Sequence, residues 1–158
     1  MTSDRDKHFL QMAVQLAIDS VTQGGGPFGA VITRQDEVVA QASNLVTLNN
    51  DPTAHAEVMA IRQAGKNLNN FILDDCVLYA SCEPCPMCTA AIYWAHIKRV
   101  VYAASAEIAS KAGFDDSFIA REICLPKTQR SIPMQQLECK QHKDCFDAWN
   151  QKQDKIEY

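Results

Sequence analysis

The sequence is short of positive charge. Its 15 lysine and arginine residues are outnumbered by 19 acidic residues, so the formal net charge is −4 at pH 7. The basic residues are scattered along the chain, and they form no stripe of the kind that dedicated nucleic-acid-binding proteins carry. We therefore expect the protein to have no nucleic-acid partner.

Long apolar runs are also missing from the sequence, so we expect no membrane partner. Residues 1–20 place charged residues ahead of apolar ones, as a secretory signal does, but the apolar positions are periodic and no small-residue cleavage site follows. Cysteine, in contrast, is abundant: there are seven, an odd number. Without a secretory signal, this count favours reactive or metal-bound thiols in a reducing cytoplasm over a disulfide framework.

No linker, internal repeat or low-complexity segment divides the 158 residues, and 47% hydrophobic content suffices for one core. We predict a single domain over residues 1–158. Ser3 and Asp6 resemble a capping box at the start of a helix, and Pro27 with the glycines before it ends that helix. The apolar residues between them follow helical spacing: Phe9, Met12, Ala13, Leu16, Ala17 and Val21.

Two pairs of strands are predicted further along the chain. Residues 28–34 and 37–42 are β-rich and separated by two residues, which is typical of a hairpin. Residues 76–81 and 99–104 are apolar strands on either side of a helix that Pro86 opens. This βαβ unit makes the two strands parallel and buried on both faces. Together the pairs predict a mixed sheet with helices on its faces.

Another helix is predicted between Asp51, as its N-cap, and Gly65, as its stop. On the helix after Pro86, we predict Tyr93 and Trp94 to be core residues. The last third of the chain gives weaker patterns. They predict helices at 117–124 and 145–153, with a strand or extended segment at 132–139 between them.

Three cysteines fall within the stretch SCEPCPMC, at Cys82, Cys85 and Cys88. Pro84 and Pro86 favour an extended segment at Cys85 that turns into a helix, which places the sulfurs of Cys85 and Cys88 together at a helix start. The helix N-terminus favours thiolate there. Cys82 ends the preceding strand, and we interpret it as a buried cysteine outside the metal site.

A third ligand to such a metal should be a histidine, because zinc prefers thiolate and imidazole ligands. His55 is the best candidate, since it begins a helix as HAE with Glu57 two residues later. Glu57 could reach a water on the metal and serve as general base. The other histidines are predicted to be surface or capping residues: His8, His96 and His142.

The number of ligands separates catalytic from structural zinc. His55, Cys85 and Cys88 leave one position open for water, whereas Cys82 as a fourth ligand would close the site. An acid beside the ligand histidine has no purpose in a closed site, which favours catalysis. A second group of donors, surrounded by lysines, is predicted to lie on the surface without a functional metal: Cys139, His142 and Cys145.

The pair of segments HAE at 55–57 and PCPMC at 84–88 matches the H-x-E and P-C-x-x-C signature of zinc-dependent nucleobase deaminases. Within this superfamily the chain resembles the bacterial guanine deaminases most, through GGPFGAVI, NDPTAHAEV, AIYWA, AGFDDSFI and the final EY. The resemblance implies a cytidine deaminase-like α/β fold, a three-layer α/β/α sandwich around a five-stranded mixed sheet. It also implies a homodimer whose C-terminal segment, about 140–158, covers the partner's pocket.

The resemblance further implies the reaction, which is hydrolytic deamination of guanine to xanthine and ammonia with one zinc ion per subunit. Zinc activates water, and Glu57 moves its proton to a ring nitrogen of the base. Asp116 holds the departing amino group and helps to protonate it, although Asp115 is adjacent. Either aspartate could instead cap the helix that follows.

The family also implies a set of contacts to the purine. Asn44 bonds the base, although its type and place equally suit a turn. Phe28 stacks on the base or packs in the core, and the backbone N–H of Ala56 bonds a base carbonyl. Tyr158, from the partner, closes the pocket, unless this terminal residue is disordered.

Three rival functions are open at this point. Deamination of adenosine in tRNA uses the same metal motif, but a folded RNA partner should demand a positive surface. Deamination of cytosine or cytidine is the second rival. The third is a zinc-stabilised binding protein without chemistry, in which Cys82 would be the fourth ligand.

Overall fold

The computed structural model describes residues 4–158. It contains two compact units, one that runs to Ser117 and one that spans Phe118–Tyr158. The first unit contains one four-stranded sheet with the order β2-β1-β3-β4. Strands β1 (Gly29–Arg34) and β2 (Glu37–Ser43) form the predicted hairpin, and Gln35 and Asp36 between them both have positive φ, as a type I′ turn requires.

Strand β3 (Cys76–Cys82) lies beside β1 in antiparallel register, and β4 (Arg99–Ala104) pairs with β3 in parallel. Helix α4 (Pro86–Trp94) connects β3 to β4, so the predicted βαβ unit and the mixed sheet are confirmed. The prediction that both strands are buried holds for β3. It is wrong for β4, which forms the sheet edge and stays partly exposed along its length.

The prediction of five strands is wrong for the residues that the structure describes. Residues 132–139 form no strand, and Ile132 and Leu137 in this segment are 74% and 76% exposed. Pro133 has no N–H to contribute to a ladder. The alternative prediction, an extended segment, remains.

Helix α1 (Asp4–Thr22) packs Phe9 and Ala13 against Val31 and Tyr79 on one face of the sheet. Ser3, the predicted partner of Asp6 in a capping box, lies outside the described residues. Asp6 itself lies in the first turn of α1 and is buried.

The carboxylate of Asp6 connects the first turn of α1 to two strands. It accepts a hydrogen bond of 2.8 Å from the Tyr79 hydroxyl. It also accepts two, of 2.9 and 2.7 Å, from the guanidinium of Arg99. Such a charge-assisted, two-pronged pair is geometrically specific, so it holds the start of α1 over β3 and β4.

Helix α3 (Ala56–Leu68) begins five residues later than Asp51, so the predicted N-cap is wrong. The Asp51 carboxylate instead accepts hydrogen bonds from the N–H and hydroxyl of Thr53, at 2.8 and 2.7 Å, and closes a local turn. The helix also continues past Gly65 to a left-handed residue, Asn69. An unpredicted short helix, α2 (Val46–Asn49), precedes the turn.

Helices α3 and α4 cover the other face of the sheet, where Ala60 and Ile92 join a core with Ile32 and Leu78. Helices thus lie on both faces, with α1 opposite α3 and α4. The prediction that Tyr93 and Trp94 are core residues is wrong, since they are 77% and 65% exposed. They lie on the side of α4 that turns away from the sheet.

Helix α5 (Ala106–Lys111) follows β4, and the predicted C-terminal helices are confirmed as α6 (Ser117–Cys124) and α7 (Asp144–Gln151). In the second unit, the Arg130 guanidinium donates to the carbonyls of Ile123 and Leu125, both at 3.0 Å. This contact satisfies carbonyl groups at the end of α6. Within residues 4–158 we find no helix with the length and apolar character needed to cross a membrane.

Candidate active site

Two helix N-termini meet in the first unit and bring the candidate ligands together. His55 is the extended residue that caps α3, and Cys85 is the extended residue that caps α4, with Pro86 as the first helical residue. The N-terminus of a helix stabilises negative charge, because its first N–H groups point outwards and its dipole is positive there. The site therefore favours thiolates, as the sequence predicted.

The distances between the donor atoms fit a tetrahedral metal ion. The Nδ1 atom of His55 lies 3.5 Å from the sulfur of Cys85 and 3.5 Å from that of Cys88. Zinc bonded to one imidazole and one thiolate at its usual bond lengths separates nitrogen from sulfur by about 3.6 Å. All three ligand atoms lie within 4.8 Å of one another. The residues present thus fit a zinc ion in both chemistry and spacing.

A hydrogen bond between the two thiols shifts their pKa values in opposite directions. A hydrogen bond from the Cys88 thiol lowers the pKa of Cys85 to about 4, against the opposing effect of burial. The hydrogen bond to Cys85, and then burial, raise the pKa of Cys88. The backbone N–H of Cys88 also donates to the sulfur of Cys85 at 3.5 Å. The pair is thus organised to carry negative charge even before a cation adds to it.

Glu57 lies in the first turn of α3 and is only 6% exposed. The Cys88 thiol donates to its Oε2 atom at 3.4 Å, so the carboxyl group lies directly beside the candidate ligands. Burial raises the pKa of Glu57. A buried carboxyl group with a raised pKa next to a metal site is suited to proton transfer.

Cys82 does not join this group. Its thiol points to the carbonyl of Ser105 at 3.8 Å, and burial raises its pKa. Among residues 4–158, the only set of donors close enough to share a metal ion consists of His55, Cys85 and Cys88.

The remaining donor candidates also lie elsewhere. The side chains of Cys139, His142 and Cys145 are exposed, as predicted, and among the described residues they do not form a set of donors close enough to share an ion. The Nδ1 atom of His142 lies 2.7 Å from the carbonyl oxygen of Cys139. His8 and His96 are exposed, as the sequence predicted.

Asn44 and Phe28 lie next to each other where the hairpin ends. The N–H of Asn44 donates to the carbonyl of Phe28 at 3.0 Å. The Oδ1 atom of Asn44 accepts the N–H of Val46 at 3.2 Å, so the residue closes a turn and keeps its amide N–H₂ group for another partner. The turn interpretation and the binding interpretation are therefore compatible.

The two adjacent aspartates have different surroundings in the structure. The carboxylate of Asp115 accepts the N–H of Ser117 at 2.9 Å and closes a turn at the start of α6. Burial, and then the negative charge of Cys85, raise the pKa of Asp116. The charge of Asp116 in turn contributes to the raised pKa of His55, whose main cause is the hydrogen bond with Cys85. Asp116 therefore interacts electrostatically with two of the candidate ligands, Cys85 and His55.

Phe114 is an aromatic neighbour of the site that the sequence did not indicate as functional. Its ring meets the ring of Phe28 edge to face, with centroids 4.9 Å apart and an interplanar angle of 87°. The only signal in the sequence was its place between Gly113 and Asp115 in GFDDSF. Because contacts between loops are not encoded by periodicity, this pairing required the structure.

The last two residues predicted to contact the purine are Ala56 and Tyr158. Ala56 is fully buried as the first residue of α3, so its N–H lies among the outward-pointing groups of that helix start. Tyr158 belongs to the second unit and is 75% exposed. Its place in a pocket stays a prediction.

Comparison with known proteins agrees with this site. Residues 3–104 match the family described as the cytidine and deoxycytidylate deaminase zinc-binding region. The chain is 54% identical to a guanine deaminase of Bacillus subtilis over 151 residues, 95% of this chain and 97% of that protein. The X-ray structure of guanine deaminase from Bacillus subtilis superposes with a TM-score of 0.93, covering 96% of this chain and 98% of that one.

A second group of relatives matches a shorter part of the chain. A tRNA-specific adenosine deaminase of Buchnera aphidicola is 39% identical over 105 residues, which is 66% of this chain and 70% of that protein. Both groups of relatives are deaminases, and the matched residues 3–104 include His55, Glu57, Cys85 and Cys88. The chain therefore belongs to the family of zinc-binding cytidine and deoxycytidylate deaminases.

Proposed function

We propose that this protein is a zinc-dependent hydrolase that deaminates guanine to xanthine and ammonia. The supporting observation is that the 54% identity to a guanine deaminase extends over 95% of the chain. It therefore reaches beyond residue 104, where the match to the general deaminase family ends. We also propose that residues 1–158 act as one deaminase domain.

In this proposal His55, Cys85 and Cys88 hold one zinc ion per subunit. The ion supplies Lewis acidity, which makes a water molecule nucleophilic near neutral pH. Glu57, held beside the ligands in a buried position, takes a proton from the attacking water and delivers it to a ring nitrogen of guanine. The ring carbon that bears the exocyclic amine then accepts the water oxygen. The amine is protonated, its bond to that carbon breaks to release ammonia, and the new hydroxyl gives its proton back to Glu57 to leave the carbonyl of xanthine.

The other residues bind and orient the base. The Asn44 amide and the N–H of Ala56 bond the polar edge of the purine, while the rings of Phe28 and Phe114 form an aromatic wall. Asp116 interacts with the negative charge of Cys85, and its pKa is raised, mainly because of burial. It is thus suited to bind the departing amino group and help to protonate it.

The substrate is tested by measuring ammonia release from guanine, adenine, cytosine, cytidine and a tRNA anticodon stem-loop under one set of conditions. We expect guanine to be turned over with the highest kcat/KM, by a factor of at least about 100, because the polar groups of the site are left unpaired by the wrong base. Turnover of cytidine or the tRNA stem-loop without turnover of guanine would refute the choice of substrate.

The tRNA rival is disfavoured by two observations. The tRNA-specific adenosine deaminase of Buchnera aphidicola matches only about two thirds of the chain, whereas the guanine deaminase of Bacillus subtilis matches nearly all of it. The net charge of −4 also opposes binding to a folded RNA. A non-catalytic binding protein is disfavoured because Cys82 bonds elsewhere and leaves a coordination position open.

We further propose a cytoplasmic homodimer in which residues 140–158 of one subunit cover the site of the other. Support comes from the open edge of β4 and from apolar side chains of the second unit that are exposed in the single chain. Within residues 140–158, three of them are more than 65% exposed: Phe146, Ile156 and Tyr158. All seven cysteines are unpaired, which suits a reducing compartment.

Light scattering coupled to gel filtration tests the homodimer. It should give twice the mass of the chain, and a monomer would contradict the proposal.

A stop codon after Ile156 tests the role of the terminal tyrosine. Because the truncated chain lacks the proposed cover and one hydrogen bond to the base, we expect kcat/KM for guanine to fall about tenfold. The Tyr158→Phe variant keeps the ring and loses only the hydroxyl, so it separates covering from hydrogen bonding. Unchanged guanine turnover in the truncated protein would remove Tyr158 from the site.

A further inference from the structure

Asn44 is held by residues that neither the sequence patterns nor the proposed reaction assigns. Ser20, near the end of α1, is 2% exposed, and its hydroxyl donates to the backbone carbonyl of Asn44 at 3.3 Å. The carbonyl of Ser20 accepts the N–H of Gly25 at 2.8 Å. One buried serine thus connects the glycine loop after α1 to the residue that is proposed to bind the base.

The glycine loop passes so close to this connection that a side chain would not fit. A Cβ atom on Gly25 would lie 2.4 Å from the Ser20 hydroxyl oxygen and 2.5 Å from the Asn44 carbonyl oxygen. Both distances are shorter than real Cβ contacts, and the second involves backbone. Glycine is therefore required here for close approach, not for an unusual φ angle.

The next glycine touches the side chains themselves. A Cβ atom on Gly26 would lie 3.1 Å from the Oδ1 of Asn44, 3.2 Å from its Cγ and 3.5 Å from a ring carbon of Phe28. The carbonyl of Gly26 also accepts the N–H of Phe28 at 2.8 Å. The loop is thus in contact with the amide and the aromatic ring at the same time.

We propose that Ser20, Gly25 and Gly26 form a positioning element that sets the orientation of the Asn44 amide beside Phe28 and so determines affinity for the purine. This role rests on the proposed function, because it takes Asn44 as a contact to the base. None of the three residues touches the substrate. They act through Asn44. Ser20, near the end of α1, holds the backbone carbonyl of Asn44, and the glycine loop limits the positions that the Asn44 side chain can take.

The Gly26→Ala variant tests the element directly. The added methyl group must displace the Asn44 amide by a few tenths of an ångström, so we expect KM to rise about tenfold while kcat changes little, as for a lost substrate hydrogen bond. Ser20→Ala should raise KM in the same way by about threefold. Thr22→Ala, whose hydroxyl bonds the carbonyl of Asp19 within its own helix, is the matched control and should leave both constants unchanged.

A double-mutant cycle distinguishes positioning from a general structural effect. If Gly26 acts through Asn44, then adding Gly26→Ala to Asn44→Ala should change kcat/KM by less than about twofold. Full additivity of the two changes, with zinc content and melting temperature kept, would overturn the positioning role. Each variant is assayed with whichever base of the panel the wild type deaminates fastest. A preference for another base therefore contradicts the proposed substrate alone, and additivity contradicts the positioning element alone.

Discussion

Replacement of Glu57 by glutamine should abolish deamination in a protein that still folds and still binds zinc. Glutamine has nearly the same size as glutamate, and its amide can accept a hydrogen bond from the Cys88 thiol or donate one to the Cys88 thiolate, so the packing of the buried site is kept. It cannot take a proton from water. We expect kcat for guanine to fall on the order of 1,000-fold, within the range for loss of a general base. Steady-state ammonia release, together with metal content by mass spectrometry, measures both parts of this expectation.

Two further variants complete the test of Glu57. Glu57→Ala should be equally inactive while retaining zinc, although the cavity that it leaves lowers the melting temperature. Glu83→Gln changes an exposed acid close to the site in sequence, whose carboxylate accepts the N–H of Ala106 at 3.0 Å, and it should keep wild-type activity. If the Glu57 variants lose zinc or fold but retain activity per folded molecule, the assignment of the general base is wrong.

Removal of a single metal ligand should have an effect of similar size for a different reason. In His55→Ala and Cys88→Ala, two ligands remain, and the ion is lost on dialysis against a mild chelator. We expect activity to fall by more than the 10- to 100-fold that is typical when a hydrogen-bond partner of a metal ligand is removed. Because binding to the folded state stabilises it, the melting temperature should fall as well.

Cys82→Ala is the matched control for the ligands. Cys82 is a buried cysteine of the same segment, but its thiol points to the carbonyl of Ser105 and away from the ligand set. The variant should therefore keep one zinc ion per subunit and most of its activity. Loss of zinc in Cys82→Ala would favour a closed, four-ligand site and, with it, the non-catalytic function.

The parts of the fold that the sequence predicted well are those encoded locally. Residues 76–104 carry strand, helix and strand patterns in order, and the Cys-x-x-Cys spacing at a proline-opened helix predicted which thiols would meet. His55 could be chosen because its neighbour Glu57 supplied a chemical reason. For the distinction between Asp115 and Asp116 no such local signal exists, since both precede the same helix.

The wrong predictions arise where two local rules compete or where partners are distant. Asp51 has the features of an N-cap, but closure of a turn on Thr53 uses its carboxylate first. Helix α4 is apolar on nearly all sides, so its sequence does not indicate which face packs, and Tyr93 and Trp94 were placed inside. Asp6 has the pattern of a capping residue, whereas its partner Arg99 is 93 positions away.

Helix α1 makes the first described residues of this protein a poor place for a deletion. Loss of its first turn would remove the carboxylate that the Arg99 guanidinium and the Tyr79 hydroxyl share on the back of the sheet. Near its other end the same helix carries Ser20, whose hydroxyl donates to the carbonyl of Asn44. A deletion at the start of α1 would thus also displace Ser20 and, through it, Asn44. An activity assay would then show a lower kcat/KM although the deleted residues lie on the opposite side of the sheet.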